Sequence, residues 1–193
     1  MPSNEAVLGL RAHSGWAVAV AMASGAPVLR RRIEMVTGTG MRARQPYHAA
    51  EEMKLPAAQA YIDRARAAAV ELATAAIRDI VAHLQARNFG VKRAAVLVGS
   101  GRPLPELAKI LAAHPLIHTA EGVFFREVLM TACREAGLGV SGVGERDLPT
   151  DLLAVVGPMG KILGPPWTQD EKLSAAAAIL LVSAKSRPVP VNP

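Results

Sequence analysis

The sequence of 193 residues has a single cysteine, Cys133, and few aromatic side chains, which make up 4% of the chain. One cysteine excludes an intrachain disulfide and a zinc site built from several thiolates. The shortage of aromatics leaves little surface for stacking on nucleic-acid bases, which weakens the case for a nucleic-acid-binding protein. Because Cys133 falls on the apolar side of a predicted helix, we expect it in the core.

Long hydrophobic runs are also missing from the sequence. The longest fall well below the ~20 residues that a membrane-spanning helix needs. Residues 1–9 contain no basic segment leading into a long apolar run, so no signal peptide is predicted. We therefore expect a cytoplasmic protein with no membrane partner.

The composition is that of a globular protein with an excess of positive charge. Hydrophobic residues make up 51% of the chain, charged residues 20%, and the formal net charge is +6. A basic balance can indicate binding to nucleic acid or to another anionic partner. The arginines are scattered, however, as in many Arg- and Ala-rich bacterial proteins. The length predicts one domain, over residues 1–185, followed by a disordered Pro-rich tail over 186–193.

Three antiparallel strands are predicted in the first ~36 residues. Residues 6–10 form a short apolar run, and residues 11–15 predict a turn. Residues 16–23 alternate larger apolar side chains with alanines, which is typical of a strand covered on both faces. Residues 28–36 carry charges on one side and predict an edge strand.

The remainder of the chain predicts helices alternating with short strands. Residues 38–46 predict a loop and residues 56–87 a long amphipathic helix. Next come a predicted strand over 94–98, a short helix near 104–111 and a helix that Thr119 caps. A predicted strand over 138–143, a segment over 152–156 that is helix or strand, and a closing helix follow. Thr168 and Glu171 have the spacing of a capping box at the start of that last helix. The expected fold class is α/β, with three antiparallel strands, then parallel strands, and helices on both faces of the sheet.

Three segments resemble a known superfamily. Gly9-Leu10 is followed by Gly15-Trp16-Ala17-Val18, residues 118–125 follow in mid-chain, and Asp170-Glu171 precede the alanine run over 175–178. These segments resemble the ribonuclease-H-like superfamily, and its Holliday-junction-resolvase branch most of all. The resemblance covers nearly the whole chain and implies a ribonuclease-H-like mixed sheet with a catalytic acid on the first strand.

The sequence departs from that family at the positions where the resemblance implies catalytic acids. Residue 11, where the resemblance implies the first acid, is an arginine, and the fourth strand ends in Gly99-Ser100-Gly101. Asp170 and Glu171 stand where capping and the helix dipole already favour acids. Two-metal hydrolysis needs converging carboxylates that hold two ions ~3.5–4 Å apart, and a cation at position 11 would repel those ions. We therefore predict that the metal-nuclease acids are absent, with no metal and no cofactor.

One hypothesis is a binding or scaffold domain for an anionic ligand or partner. The first and fourth strands are neighbours in this topology, and open α/β sheets bind ligands at the carboxyl ends of their strands. The predicted ligand-binding residues are Arg11, His13, Ser14, Ser100 and Arg102. Whether the partner is nucleic acid, and whether the chain forms a homodimer, are left open.

The alternative hypothesis is an enzyme, a hydrolase with relocated acid–base chemistry. His118 and Glu121 are its predicted catalytic pair, assisted by Ser14 or His13. A simpler interpretation makes His118 a loop histidine and Glu121 a first-turn acid. His114 and His118 have i, i+4 spacing, but we expect Pro115 to interrupt any helix across them, which argues against zinc.

A further alternative is an actin-like ATPase half-domain. That class too is expected to carry an acid in the first hairpin, which this sequence lacks, so we rank it last.

Overall fold

The computed structural model describes residues 4–38, 40–99 and 103–184. The predicted tail over 186–193 lies outside these residues, as do Ser100 and Arg102. None of the helices in the described ranges is long and apolar enough to cross a membrane.

The centre of the fold is one five-stranded mixed sheet. Its strands are β1 (Asn4–His13), β2 (Trp16–Ala23), β3 (Ala26–Glu34), β4 (Phe89–Val98) and β5 (Gly139–Gly144), in the order β3-β2-β1-β4-β5. The first three strands pair antiparallel, whereas β4 runs parallel to β1 and β5 parallel to β4. The predicted mixed sheet is confirmed, and β3 occupies the edge that its charged side chains indicated.

Helices cover both faces of this sheet, as predicted. They are α1 (Met41–Arg44), α2 (Pro46–Ala50), α3 (Leu55–Ala86), α4 (Leu107–Leu111), α5 (His114–Glu135), α6 (Thr150–Val156), α7 (Gly160–Leu163) and α8 (Gln169–Ala184). One core lies between the sheet and helices α3 and α5. A second, smaller core lies on the opposite face, under α8 and α6. The alanine face of β2 belongs to the first core and its valine face to the second.

The first hairpin is tighter than the sequence analysis predicted. The predicted turn over 11–15 is wrong, because β1 continues to His13, which pairs with Trp16. Only Ser14 and Gly15 connect the strands, and Gly15 has a φ of +85°, a conformation that glycine adopts without steric cost. Arg11 and His13 are consequently strand residues and share the β1 face of Gly9, since side chains alternate along a strand.

Helix α5 also begins earlier than predicted. It starts at His114 and not at Thr119, whose hydroxyl donates to the carbonyl of Pro115 at 2.9 Å. Pro115 stands in the first turn, where the N–H that proline lacks would have no helical partner. The expectation that Pro115 breaks the helix is therefore wrong. His114 and His118 lie on one helix, and Glu121 lies in its interior, beyond the first turn.

Smaller differences concern segment boundaries. The predicted loop over 38–46 contains α1 and the first residue of α2, and β4 begins at Phe89, before the predicted residue 94. The short helix α4 starts only at Leu107, and the ambiguous segment over 152–156 is helical. None of these differences changes the order of the sheet.

Cys133 lies in the first core, as predicted, and is fully buried. Burial raises the pKa of its thiol to about 12, partly offset by the nearby positive charge of Arg134. The side chain therefore packs as a small apolar group and stays protonated at neutral pH.

Helix α8 lies unusually close to β1. A Cβ atom built on Gly9 would lie 1.7 Å from the backbone oxygen of Ser174, a distance that no side chain tolerates. Residues 175–178 of the same helix are buried alanines, whose small side chains let the helix lie close to the sheet. The glycine of the Gly9-Leu10 motif is thus required by backbone packing.

We expect Gly9→Ala to lower the free energy of unfolding by about 3 kcal/mol or more, because the added methyl group meets a backbone atom that cannot rotate away. Urea unfolding followed by circular dichroism measures the change. Gly139→Ala is the matched control, since a Cβ there meets nothing closer than 3.6 Å. An equal effect of the two substitutions would contradict the close approach.

Candidate functional site

Arg11 lies at the carboxyl edge of the sheet. Its neighbour Leu10 pairs with Val96 near the end of β4, and β4 in turn ends beside Gly144 of β5. The guanidinium forms an ion pair with Asp170 through Nη1, and its Nη2 lies 3.3 Å from Oε1 of Glu145. Arg11 thus bridges two acids, Glu145 just after β5 and Asp170 in the first turn of α8.

The start of α8 explains why Asp170 reaches this place. The backbone N–H of Thr168 donates to Oε2 of Glu171 at 2.7 Å, and the N–H of Asp170 donates to the Thr168 hydroxyl at 3.2 Å. These bonds satisfy N–H groups that the first turn leaves free, so the predicted capping box is confirmed. With Glu171 engaged in the cap, Asp170 is the acid that faces β1.

His13 approaches the same carboxylate from the next position on that face of β1. Its Nε2 lies 3.0 Å from Oδ2 of Asp170, close enough for an ion pair when the ring is protonated but without hydrogen-bond geometry. The imidazole stacks on Trp16, with ring centroids 4.1 Å apart and planes inclined by 8°. The Arg32 guanidinium also lies over the indole, 3.7 Å from its centroid. Asp170 is therefore held between basic groups.

The guanidinium of Arg11 separates the two acids at this edge. Within residues 4–38, 40–99 and 103–184, no three acidic or histidine ligands converge around Arg11. The guanidinium lies between Asp170 and Glu145 and forms an ion pair with each of them. Of the other predicted binding residues, Ser14 is exposed in the hairpin loop, while Ser100 and Arg102 are not among the described residues.

Glu121 is buried on the other side of the sheet, with only 6% of its surface exposed. Its Oε1 accepts the backbone N–H groups of Tyr47 and His48, at 2.7 and 3.1 Å, and lies 3.3 Å from Nδ1 of His48. Burial raises the pKa of the Glu121 carboxyl, while the contacts with His48 and Tyr47 act in the opposite direction. The side chain thereby ties α5 to the start of α2.

The predicted pair of His118 and Glu121 is not joined by a hydrogen bond in the described part of the chain. The exposed His118 directs Nε2 towards Nε2 of His114, 3.1 Å away. The histidine that contacts Glu121 is His48, which is 73 residues away in sequence. Sequence reasoning missed His48, because no local pattern connects a residue of the short helix α2 to the interior of α5.

A second feature of the carboxyl edge is a cavity of about 340 Å³ between the end of β4 and α5. Arg126 lies against Gly99, where a Cβ would come 3.1 Å from the guanidinium Nη1. This half-buried arginine forms no ion pair with any residue that the structure describes. The cation predicted from the sequence near the end of this strand is Arg102, which lies outside the described residues, and Arg126 was not predicted. The lining residues include Val98, Gly99, His118, Thr119, Gly122 and Arg126.

Comparison with known proteins supports the fold alone. No family model matches the sequence, and no curated protein matches it. The solved structure of T. thermophilus RuvC in complex with Holliday junction substrate aligns over 94% of this chain and 96% of that chain, with a TM-score of 0.54 and 14% identity. Another Thermus thermophilus RuvC structure aligns over the same shares, with a TM-score of 0.50 and 13% identity. The predicted fold, with three antiparallel strands followed by parallel strands, is confirmed, and it is similar over nearly the whole chain to that of the two RuvC structures.

We expect Asp170→Asn to lower the free energy of unfolding by about 1–2 kcal/mol. The side chains of Arg11 and Asp170 are 24% and 20% exposed, so the loss should fall between the values for exposed and for buried ion pairs. Thermal and urea unfolding measure it. Glu145→Gln serves as the control: that side chain is 45% exposed, and we expect its change to remain below about 0.5 kcal/mol. Equal losses would show that Asp170 is not the principal partner of Arg11.

Proposed function

We propose that this chain is a binding domain that holds an anionic ligand at the carboxyl edge of its sheet, in the cavity between β4 and α5. The observation that carries the proposal is the Arg126 guanidinium, which lies at the end of β4 without an acidic partner among the described residues. A half-buried guanidinium offers several N–H donors in a planar fork, which suits phosphate or carboxylate oxygens. His118 lines the same cavity and adds a further donor when protonated.

The backbone around this cavity supports the proposal. Gly99 and Gly122 line it without side chains, so that a ligand can approach the main chain closely. Ser100 and Arg102, which the sequence analysis assigned to anion binding, follow Gly99 directly in sequence. Open α/β sheets commonly bind their ligands at this edge.

Arg11 argues against a two-metal nuclease. Metal-assisted hydrolysis requires carboxylates that are free to hold cations, whereas Asp170 and Glu145 already share the guanidinium of Arg11. In this proposal Arg11 and His13 are internal partners of Asp170 that shape the edge, and the ligand contacts fall to Arg126 and His118.

Nucleic acid is the class of anion that we test first. The similar RuvC structure is described as a complex with Holliday junction substrate. A four-way DNA junction is therefore the natural probe, with a duplex and a single strand beside it. Binding through phosphates weakens steeply as salt rises, because neutralised phosphates release counterions.

The alternative hydrolase receives less support from the geometry. A general acid must reach its substrate, whereas Glu121 is almost fully buried and its Oε1 is engaged by Tyr47 and His48. No contact in the described chain sets His118 beside it. We therefore do not propose acid–base catalysis by this pair.

We expect wild-type chain to bind a labelled four-way junction or duplex, and Arg126→Gln to weaken that binding about tenfold, because a charge-assisted hydrogen bond is lost. The slope of log affinity against log salt should fall by about one unit if Arg126 contacts a phosphate. Fluorescence anisotropy between 50 and 300 mM salt, about the range over which such binding changes, measures both quantities.

Arg134→Gln is the matched control, since it removes the same charge from the exposed far end of α5. Inorganic phosphate, followed by its effect on the melting temperature, tests the smaller anions. If neither the nucleic acids nor phosphate bind, or if Arg126→Gln and Arg134→Gln behave alike, the proposal is wrong.

We further expect no cleavage of the junction when Mg²⁺ or Mn²⁺ is added, because the acids at the edge are engaged by Arg11. Gel electrophoresis of labelled junctions after long incubation measures this. Metal-dependent cleavage by the wild-type chain that disappears in Asp170→Asn would contradict the prediction. Cleavage that persists in that variant would instead come from a contaminating nuclease.

A further inference from the structure

Three histidines meet at the start of α5, on the face of the sheet opposite to Arg11. His48 comes from α2, and His114 and His118 come from successive turns of α5. One ring nitrogen from each lies within 4.8 Å of the other two. The ring centroids are separated by 5.3 Å for His48 and His114, 4.7 Å for His48 and His118, and 4.6 Å for His114 and His118.

The rings of His114 and His118 approach each other through Nε2. Nε2 of His114 and Nε2 of His118 lie 3.1 Å apart. For a zinc ion bound tetrahedrally at ~2.1 Å from each nitrogen, two ligating nitrogens would be roughly 3.4 Å apart, so that a small adjustment suffices. The i, i+4 spacing places both rings on one face of a helix.

Two of the three imidazoles have a carboxylate near Nδ1. Oε1 of Glu121 lies 3.3 Å from Nδ1 of His48, and Oε1 of Glu51 lies 3.7 Å from Nδ1 of His114. A carboxylate hydrogen-bonded to Nδ1 of His48 would fix the tautomer that leaves Nε2 of that ring free to bind a metal, an arrangement common around protein metal sites. Glu51 lies beyond hydrogen-bond distance of His114. The second oxygen of Glu121 is buried without a partner among the described residues, close to the imidazole of His48.

From this geometry we infer that His48, His114 and His118 form a zinc-binding site. Three neutral imidazoles without a thiolate are typical of an open zinc site, in which the fourth position holds water or an exogenous ligand. His114 and His118 are exposed, so that fourth position faces solvent. The sequence analysis argued against zinc because of Pro115, an objection that the helical course of residues 114–118 removes.

The site is independent of the proposed anion binding, although His118 lines both. Zinc binding needs the three imidazoles and does not need Arg126, whereas the proposed anion contact needs Arg126. We therefore expect Arg126→Gln to bind zinc as the wild-type chain does. Loss of one activity can in this way be separated from loss of the other.

Calorimetric titration of the full chain, free of any histidine tag and stripped with EDTA, with ZnCl₂ tests the inference. We expect one zinc ion per chain at the site, and a loss of at least about tenfold in affinity in His48→Gln, His114→Gln and His118→Gln. This is a minimum, since even groups that merely orient a metal ligand are worth about 10–100-fold in affinity. Zinc should also raise the melting temperature of the wild-type chain but of none of the three variants.

His83→Gln is the matched control, because His83 is exposed on α3 and lies outside the cluster. Should His48→Gln fail to fold, the exposed His114 and His118 still allow the test, with circular dichroism confirming the fold of each variant. The inference is overturned if the wild-type chain binds no zinc. It is equally overturned if His114→Gln and His118→Gln bind zinc as tightly as His83→Gln does, since that would indicate scattered surface binding.

Discussion

The close approach of α8 to β1 at Gly9 is the constraint on which the carboxyl edge depends. The backbone oxygen of Ser174 occupies the space that a side chain on Gly9 would need, and the alanines that follow it lie against the same face of the sheet. Because helix and strand are fixed at this distance, the first turn of α8 comes to lie beside the last residues of β1. Asp170 therefore meets Arg11 and His13, and the charge of the edge follows from backbone packing.

The two arginines at the carboxyl edge of the sheet differ in whether an acid lies beside them. Arg11 is compensated by Asp170 and Glu145, whereas Arg126 has no acidic partner among the described residues. A half-buried charge without a partner loses hydration and gains nothing in return unless a ligand supplies the opposite charge. The two arginines consequently have different physical roles, and the sequence alone did not point to Arg126, which comes from the middle of α5.

The sequence predicted those features that depend on local periodicity. Alternation identified β2 to the residue, apolar spacing identified α3 within a residue at each end, and Thr168 with Glu171 identified the start of α8. The fold class followed from the order of these elements. The turn of the first hairpin was predicted too long, because only two residues connect its strands and they leave little turn composition to detect. The start of α5 was predicted too late, because proline is tolerated in the first turn of a helix but disrupts a helix further along. Contacts between distant segments, such as His48 with Glu121, leave no pattern in the sequence.

The buried carboxylate of Glu121 is the feature that local sequence could least reveal, and the histidine cluster depends on it. A carboxylate in the core costs free energy unless hydrogen bonds compensate it, and two backbone N–H groups at the start of α2 supply them. This requirement holds α2 against α5 and brings His48 to the two histidines of the longer helix. One oxygen of Glu121 still lacks a partner among the described residues, so the carboxylate remains incompletely compensated. Because the same carboxyl positions His48 beside His114 and His118, the buried acid and the three histidines are best understood as a single unit.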